Sequence, residues 1–213
     1  MHPAREPRPE TEVVLSKEPA PRIYLAGPEV FLSDACEIAA AKRRICAAHG
    51  LVGVFPTDGA VTRDERSLRA WGLAISRANE QLIRTSDALI ANATPFRGPS
   101  IDPGTAYEMG CMRMLGRPVL AYTNVVEDLE LRTARWLGSG TRSRGAGPER
   151  EDRDGMLIEA FGLADNLMIE GATTDFAPGI VRVEAPFEER FRSLTGFELC
   201  VARAREVLDS LRA

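Results

Sequence analysis

Histidine is nearly absent from this chain of 213 residues, in which only His2 and His49 occur. Two distant histidines cannot provide the ligand spacing of a typical zinc site, and no histidine-based catalytic triad can be built around them. The 4 cysteines are widely separated, so we expect reduced and mostly buried thiols rather than disulfides or metal ligands. We therefore expect a protein that needs no metal and no cofactor.

The chain also lacks a long apolar run, because no segment approaches the ~20 residues needed to span a bilayer. Residues 1–21 contain five prolines and mixed charges but no apolar stretch of a secretory signal, so we predict a disordered tail and a cytoplasmic protein without a membrane partner. The formal net charge of −4 argues against a general nucleic-acid partner. With aromatic residues at only 6%, the core must be mainly aliphatic.

Short apolar runs alternate with amphipathic segments along residues 22–213, which we predict to form one domain. This alternation favours an α/β fold, Rossmann-like or flavodoxin-like, with an open parallel sheet of about five strands and helices on both faces. Strands are predicted over 22–27, 51–55, 87–92, 118–122 and near 167–169; helices over 33–48, 67–85, 103–115 and 187–211, the last interrupted near Gly196; and an exposed loop over 138–155.

Three polar or glycine-containing motifs follow predicted strands: Gly27-Pro28-Glu29, Pro56-Thr57-Asp58 and Pro95-Phe96-Arg97-Gly98. In an open α/β sheet, the carboxyl ends of the strands form the edge at which ligands bind. The chain contains neither GxGxxG nor GxxxxGK[ST], so neither a dinucleotide nor a P-loop nucleotide fits this edge well.

The segment from Phe96 to Gly110 holds the densest group of candidate residues. Asp102 directly before Pro103 is a typical helix N-cap with proline in the first turn, a structural role that by itself explains the aspartate. Glu108 lies in the second turn of this helix, where the positive helix end is expected to keep its carboxylate ionised and available as a nucleophile. The alternative for Glu108 is a solvated glutamate on the helix surface.

Four blocks, taken in order and spacing, resemble the nucleoside 2-deoxyribosyltransferase family. They are Tyr24-Leu-Ala-Gly-Pro28, Asn79 eight residues before Asp87, Asp102-Pro-Gly-Thr-Ala-Tyr-Glu108-Met-Gly110, and Asn166-Leu-Met168. The resemblance spans Tyr24 to Met168, about two-thirds of the chain. It implies transfer or hydrolysis at the N-glycosidic bond of 2′-deoxynucleosides through a covalent deoxyribosyl–enzyme ester, with free nucleobases as partners and a role in nucleotide salvage.

The resemblance also implies roles for individual residues. Glu108 matches the nucleophile, Asp102 the aspartate that binds the sugar and helps to protonate the leaving base, and Tyr24 a tyrosine that orients the nucleophile. Asn166 and Met168 match residues lent to a neighbouring subunit's pocket, which implies a homo-oligomer. The remaining candidates for substrate contact are Gly27, Pro28, Asp58, Asn79, Phe96, Arg97, Gly98 and Gly104.

Some positions depart from the family pattern and leave the preferred base open. Asn79 stands where some members have an aspartate, and resembles a trypanosomatid-like branch, while a base-contacting glutamine of lactobacillus-type enzymes falls at Ala60. Purely structural roles also remain for several candidates: Tyr24 as a strand tyrosine, Asp58 as a side chain that holds its loop, Asn166 as a turn cap and Met168 as core filler.

Two other functions remain open alongside the first. One is an N-glycosidase of nucleoside 5′-monophosphates, which the first loop disfavours because Pro28 lacks an N–H and Glu29 would repel a phosphate. The other is a non-catalytic sensor that binds a nucleoside on the same fold.

Overall fold

The computed structural model describes residues 19–59, 61–64, 67–145 and 147–212, and contains a parallel sheet of five strands flanked by helices. Its strands are β1 (Arg22–Ala26), β2 (Val52–Val54), β3 (Ala88–Asn92), β4 (Val119–Thr123) and β7 (Val181–Arg182). The sheet order is β2-β1-β3-β4-β7, and every neighbouring pair is parallel. This confirms the predicted α/β class and open parallel sheet.

Six helices accompany the strands, and a small antiparallel pair lies outside the main sheet in the described part of the chain. The helices are α1 (Ala35–Ala48), α2 (Leu68–Arg84), α3 (Pro103–Met114), α4 (Leu129–Leu137), α5 (Leu167–Gly171) and α6 (Thr195–Ser210). The small pair joins β5 (Arg142–Ser143) to β6 (Arg150–Glu151) within the predicted loop 138–155. No helix in the described ranges is long and apolar enough to cross a membrane.

The alternation of side chains along β1 shows how the sheet separates two apolar layers. Ile23 and Leu25 face a cluster that includes residues of α1 and α6, whereas Tyr24 and Ala26 face the cluster that holds Met109 of α3. Because strand side chains alternate between faces, Tyr24 must lie on the α3 side of the sheet. This register is what brings the tyrosine to the helix that carries Glu108.

The predicted strand near residues 167–169 is wrong, because this segment forms α5 and the fifth strand is β7. Asn166 caps α5 by accepting a hydrogen bond from the Met168 N–H at 3.0 Å. The buried Glu170 accepts from the N–H groups of Ala164 at 2.9 Å and Ile180 at 3.0 Å, which fixes the chain on either side. A run of three apolar residues carries no periodicity by which helix and strand can be told apart.

The C-terminal helix also begins later than predicted, at Thr195, and Phe187–Glu189 forms only a separate 3₁₀ turn. Gly196 therefore lies in the first turn of α6 rather than at a kink. A Cβ at this position would lie 2.8 Å from a ring carbon of Tyr122, so the glycine allows α6 to approach β4 closely.

The predicted disordered tail, residues 1–21, lies mostly outside the described residues. Pro21, however, is buried, and its carbonyl accepts a hydrogen bond from the Val52 N–H at 2.8 Å. This residue therefore belongs with the sheet rather than with a tail.

Candidate active site

A cavity of about 380 Å³ opens where the chain leaves β1, β2 and β3 at their carboxyl ends. The sheet order places β1 between β2 and β3, so the connections from β1 and β3 run in opposite directions and leave a crevice between them. The cavity is lined by Gly27, Val30, Phe31, Pro56, Thr57, Gly59, Val61, Trp71, Ile75, Asn79, Asp102, Gly104, Thr105 and Glu108. Five of the predicted site residues thus surround one space: Gly27, Asn79, Asp102, Gly104 and Glu108.

Glu108 and Tyr24 meet at the wall of this cavity. The Tyr24 hydroxyl donates a hydrogen bond to Glu108 Oε1 at 2.6 Å, although 84 residues separate the two in sequence. Tyr24 is fully buried, and its pKa is raised by burial and by the neighbouring carboxylate, so the phenol keeps its proton and remains a donor. This contact fixes one carboxylate oxygen and leaves the group facing the cavity.

Burial controls the protonation of Glu108. Its pKa is raised from the ordinary 4.5 to about 7, first because the carboxylate is removed from water and also because the Asp102 carboxylate repels it; the Tyr24 hydrogen bond acts in the opposite direction. The pKa of Glu108 therefore moves in the direction opposite to the one expected from the helix end, because burial disfavours the charged carboxylate. Near neutral pH both protonation states are populated.

Asp102 performs the capping role that the sequence predicts and also lines the cavity. Its Oδ2 accepts hydrogen bonds from the Thr105 N–H at 2.9 Å and the Thr105 hydroxyl at 3.0 Å, at the start of α3. A Cβ at Gly104 would lie 3.1 Å from the same oxygen, so a larger residue there would crowd the carboxylate. Capping and cavity lining are thus combined in one buried side chain.

Helix α2 contributes a wall that the sequence analysis missed in part. Trp71, Ile75 and Asn79 lie four residues apart and therefore share one helical face. Trp71 Nε1 and Asn79 Oδ1 are buried without a hydrogen-bond partner among the described residues. A donor and an acceptor are thus left without partners beside the cavity. The helical spacing of Trp71 from Asn79 could have predicted that both residues lie on the same wall.

The loop before Asp102 is anchored by a second buried carboxylate, Asp165, which the sequence analysis did not identify. Asp165 accepts a hydrogen bond from the Ile101 N–H at 3.0 Å and another from the Ser100 hydroxyl. The buried Arg132 guanidinium lies 3.6 Å from Asp165 and donates to the Pro99 carbonyl at 2.8 Å. These contacts tie the chain directly before Asp102 to the segment that leads into α5.

The first loop rests on a buried polar cluster beneath the cavity. Glu29 Oε1 accepts from Lys42 Nζ, from Asn92 Nδ2 at 2.9 Å and from the Tyr122 hydroxyl at 3.2 Å. A Cβ at Gly27 would lie 2.0 Å from Glu29 Oε2, so the loop requires glycine there. Glu29 is thus turned inward, paired with Lys42 and absent from the cavity lining, although its Oε2 has no hydrogen-bond partner among the described residues.

The remaining predicted contacts lie outside the cavity lining. Pro28 is buried at the start of a 3₁₀ turn. Asp58 accepts a hydrogen bond from the Phe55 N–H at 2.9 Å and pairs with Arg43, so it takes the structural role of a side chain that holds its loop. Phe96 forms a layer behind the wall, stacked on Phe31 with ring centroids 5.3 Å apart. Arg97 and Gly98 line a different cavity, and Ala60 lies outside the described residues.

Asn166 and Met168 do not line the Glu108 cavity of their own chain. The Asn166 side-chain amide donates to Glu159, while Met168 is 74% exposed beside Tyr107 and Met114. Met168 is therefore not core filler, whereas Asn166 does cap a helix.

Within the described residues, no group of three or more histidine, cysteine, aspartate or glutamate side chains has an arrangement that could hold a metal ion.

Comparisons with known proteins identify similar sequences and similar folds. Residues 23–168 match the family model described as nucleoside 2-deoxyribosyltransferase. The 2-desoxiribosyltransferase from Leishmania mexicana superposes with a TM-score of 0.54 at 28% identity, over 82% of this chain and 96% of that one. A conserved protein from Enterococcus faecalis V583 shares the fold, with a TM-score of 0.52 at 18% identity over 87% of this chain and 98% of that one.

A related sequence aligns with a longer part of the chain than the family model does. An uncharacterized protein from Schizosaccharomyces pombe is 32% identical over 182 residues, which cover 81% of this chain and 86% of the relative. The family match includes Tyr24, Asn79, Asp102 and Glu108, four of the residues at or beside the cavity. The chain therefore belongs to the nucleoside 2-deoxyribosyltransferase family.

Proposed function

We propose that this protein cleaves the N-glycosidic bond of 2′-deoxyribonucleosides and transfers the deoxyribosyl group to a second base or to water. The observation that carries the proposal is the placement of Glu108, Tyr24 and Asp102 at one apolar-walled cavity. Family membership supports a deoxyribosyltransferase-type activity in general. The roles of the individual residues and the choice of substrate are the content of the proposal.

The chemistry that fits this arrangement is a double displacement with retention of configuration. The Glu108 carboxylate attacks the anomeric carbon while the N-glycosidic bond breaks. The electron pair of that bond leaves with the base nitrogen. A proton delivered from the Asp102 side neutralises the departing base, a contribution on the order of 10²–10⁴ in rate. A second base or water then attacks the same carbon and gives its proton back to the Asp102 side, while the ester bond breaks and Glu108 is released as a carboxylate.

The apolar walls suit a flat nucleobase, and α2 offers groups to orient it. Val30, Phe31 and Ile75 provide apolar contact. The unsatisfied Trp71 N–H and Asn79 carbonyl oxygen would find partners on the base edge or the sugar, because a buried polar group without a partner costs free energy that a bound ligand can recover.

The 5′-monophosphate N-glycosidase remains the second candidate. The inward position of Glu29 removes one objection to it, but Pro28 still offers no N–H to a phosphate at this loop. The same assay can distinguish the two substrates.

A transfer assay tests the proposal directly. Purified protein given deoxyinosine and adenine should form deoxyadenosine and hypoxanthine, with little turnover of inosine or of deoxyinosine 5′-monophosphate. Glu108→Gln keeps the shape of the side chain but removes its charge and should lower kcat by several orders of magnitude. Glu198→Gln, on the exposed side of α6, is the matched control. Near-normal turnover by Glu108→Gln, or no base release from any deoxynucleoside, would contradict the proposal.

Tyr24→Phe should shift the pH dependence of the reaction. The Tyr24 hydroxyl lowers the pKa of Glu108, so its removal should raise that pKa further above about 7. Because the nucleophile must be ionised, the acid limb of kcat/KM should move to higher pH by about one unit, with activity recovering in alkali. Tyr107→Phe, an exposed tyrosine on the same helix that bonds Glu80 instead, should leave the limb in place. If the acid limb of kcat/KM stays at the same pH in Tyr24→Phe, the Tyr24 hydroxyl does not control the pKa of the nucleophile.

We also propose that the protein is a homo-oligomer in which Asn166 and Met168 complete a neighbour's site. Support comes from an exposed apolar surface around a depression between α3 and α5, where Tyr107 is 59%, Met168 74% and Met114 86% exposed. Large apolar side chains grouped in this way are typical of a covered interface.

Mixed oligomers test the shared site. Glu108→Ala lacks the nucleophile and Asn166→Ala lacks the lent residue, so each alone should be inactive. Co-expressed with different tags and purified as mixed oligomers, the two should regain part of the activity, because some sites combine the intact residue of each chain. A monomer by light scattering, or inactive mixed oligomers, would refute the shared site.

A further inference from the structure

A second cavity, of about 600 Å³, opens beside the chain that follows β3 and β4, again at the carboxyl edge of the sheet. We call it the arginine groove. Four arginines and one glutamate are its charged lining residues, so it carries a surplus of positive charge in a chain whose formal net charge is −4. Its lining residues are Pro95, Arg97, Gly98, Pro99, Val125, Glu127, Arg132, Arg135, Trp136, Phe187 and Arg190.

Two of the four arginines are already engaged within the protein. Arg132 is buried and donates to backbone carbonyls, while Arg135 is paired with Glu127. Arg97 and Arg190, by contrast, form no ion pair with a carboxylate in the described part of the chain, although Arg190 donates one hydrogen bond to the Phe187 carbonyl at 2.7 Å. These two guanidinium groups therefore provide the uncompensated charge of the groove.

Stacking on aromatic rings holds these two guanidinium groups. Arg97 lies 4.5 Å from the ring centre of Phe96, and Arg190 lies 3.8 Å from that of Phe187. Phe191 lies between the two arginines. Its ring contacts the Phe96 ring edge-on, with centroids 6.4 Å apart, and the Arg190 guanidinium lies 4.6 Å from its centre. The N–H groups of each guanidinium that have no partner among the residues that the structure describes are donors of the kind that bind phosphate.

The backbone at Arg97 adds a cost that its present position does not explain. Arg97 has φ of 53°, in the left-handed region, and no other residue except glycine has a positive φ in the described ranges. Strain of this kind is often found at ligand sites, where the surrounding structure maintains it. The groove also leaves two large rings accessible, because Trp136 is 65% and Phe187 72% exposed.

From this combination we infer that the arginine groove binds a nucleoside 5′-monophosphate, with the phosphate held by Arg97 and Arg190 and the base stacked on Trp136 or Phe187. Guanidinium groups recognise the phosphate through their N–H donors, and exposed aromatic rings recognise any base through its flat face. The volume lies within the range of small-molecule sites. The ligand is thus distinct from the uncharged deoxynucleoside assigned to the Glu108 cavity.

The groove is linked to that cavity through one aromatic stack. Phe31 lines the Glu108 cavity and stacks on Phe96, and the Arg97 guanidinium lies 5.5 Å from the Phe31 ring. A phosphate that holds Arg97 would therefore also restrain a wall of the Glu108 cavity. This consequence rests on the proposed function, whereas binding in the groove does not.

The two tryptophans of the chain allow binding to be located, because Trp71 lines the Glu108 cavity and Trp136 lines the arginine groove. In Trp71→Phe, adenosine 5′-monophosphate should quench the fluorescence of the remaining Trp136 in a saturable manner. In Trp136→Phe, the remaining Trp71 should not respond over the same concentrations. Calorimetry on the unaltered protein should give the same affinity, with adenosine and inorganic phosphate each binding about tenfold more weakly.

Substitution of the two arginines should remove the binding. The double substitution Arg97→Ala and Arg190→Ala, made in the Trp71→Phe protein, should weaken the binding of adenosine 5′-monophosphate by about tenfold or more. The melting temperature should not change. Arg144→Ala, which removes an exposed arginine of the 138–155 segment, should have no effect. The inference is overturned by unchanged binding in the double variant, by a response of Trp71 alone, by equal affinity for adenosine or phosphate, or by the absence of saturable Trp136 quenching. No turnover is measured, so a failed transfer assay leaves this test intact.

Discussion

The hydrogen bond from Tyr24 to Glu108 joins β1 to α3, and the chemistry proposed for this protein depends on it. Burial favours the neutral carboxyl group and raises its pKa to about 7 from an ordinary 4.5, while the phenol favours the carboxylate. Glu108 therefore contributes stability fully below pH 4.5, and this contribution is lost as the pH rises through about 7. Ionising the nucleophile costs the fold some stability, a cost typical of reactive groups in desolvated sites.

Rigid supports on either side make this arrangement possible. Glu29 and Lys42 form a buried pair beneath the first loop, and Asp165 holds the backbone directly before Asp102. Removing one partner of such a buried group would leave an uncompensated charge, so each network fixes its loop strongly. The first loop and the chain directly before Asp102 are thus held by residues that line no part of the cavity.

Much of the fold follows from local patterns that the sequence displays. Tyr24, Asp102 and Glu108 could be grouped because parallel strands bring their carboxyl ends together and because their motif resembles a known family. The helix at Leu167–Gly171 could not be recognised, since its apolar run is short and its cap, Asn166, acts through a local hydrogen bond. The raised pKa of Glu108 also escaped prediction, because desolvation arises from residues distant in sequence.

Positions that depend on side-chain direction were the hardest to predict. Arg97 follows a strand as the pattern suggests, yet its guanidinium is stacked beside a second cavity. Glu29 likewise follows a strand but turns inward to Lys42. In both cases aromatic or charged partners from remote segments decide the direction, and strand periodicity alone carries no information about them.

Trapping of the covalent intermediate tests the central claim most directly. A 2′-deoxy-2′-fluoro-arabino nucleoside slows both steps by withdrawing electrons from the anomeric carbon, and its good leaving base allows the ester to accumulate. Mass spectrometry of the digested protein should then show the mass of the fluorinated sugar on the peptide that contains Glu108, and the adduct should disappear when an acceptor base is added. An adduct on Asp102 or another residue, or base release without any adduct, would contradict the account.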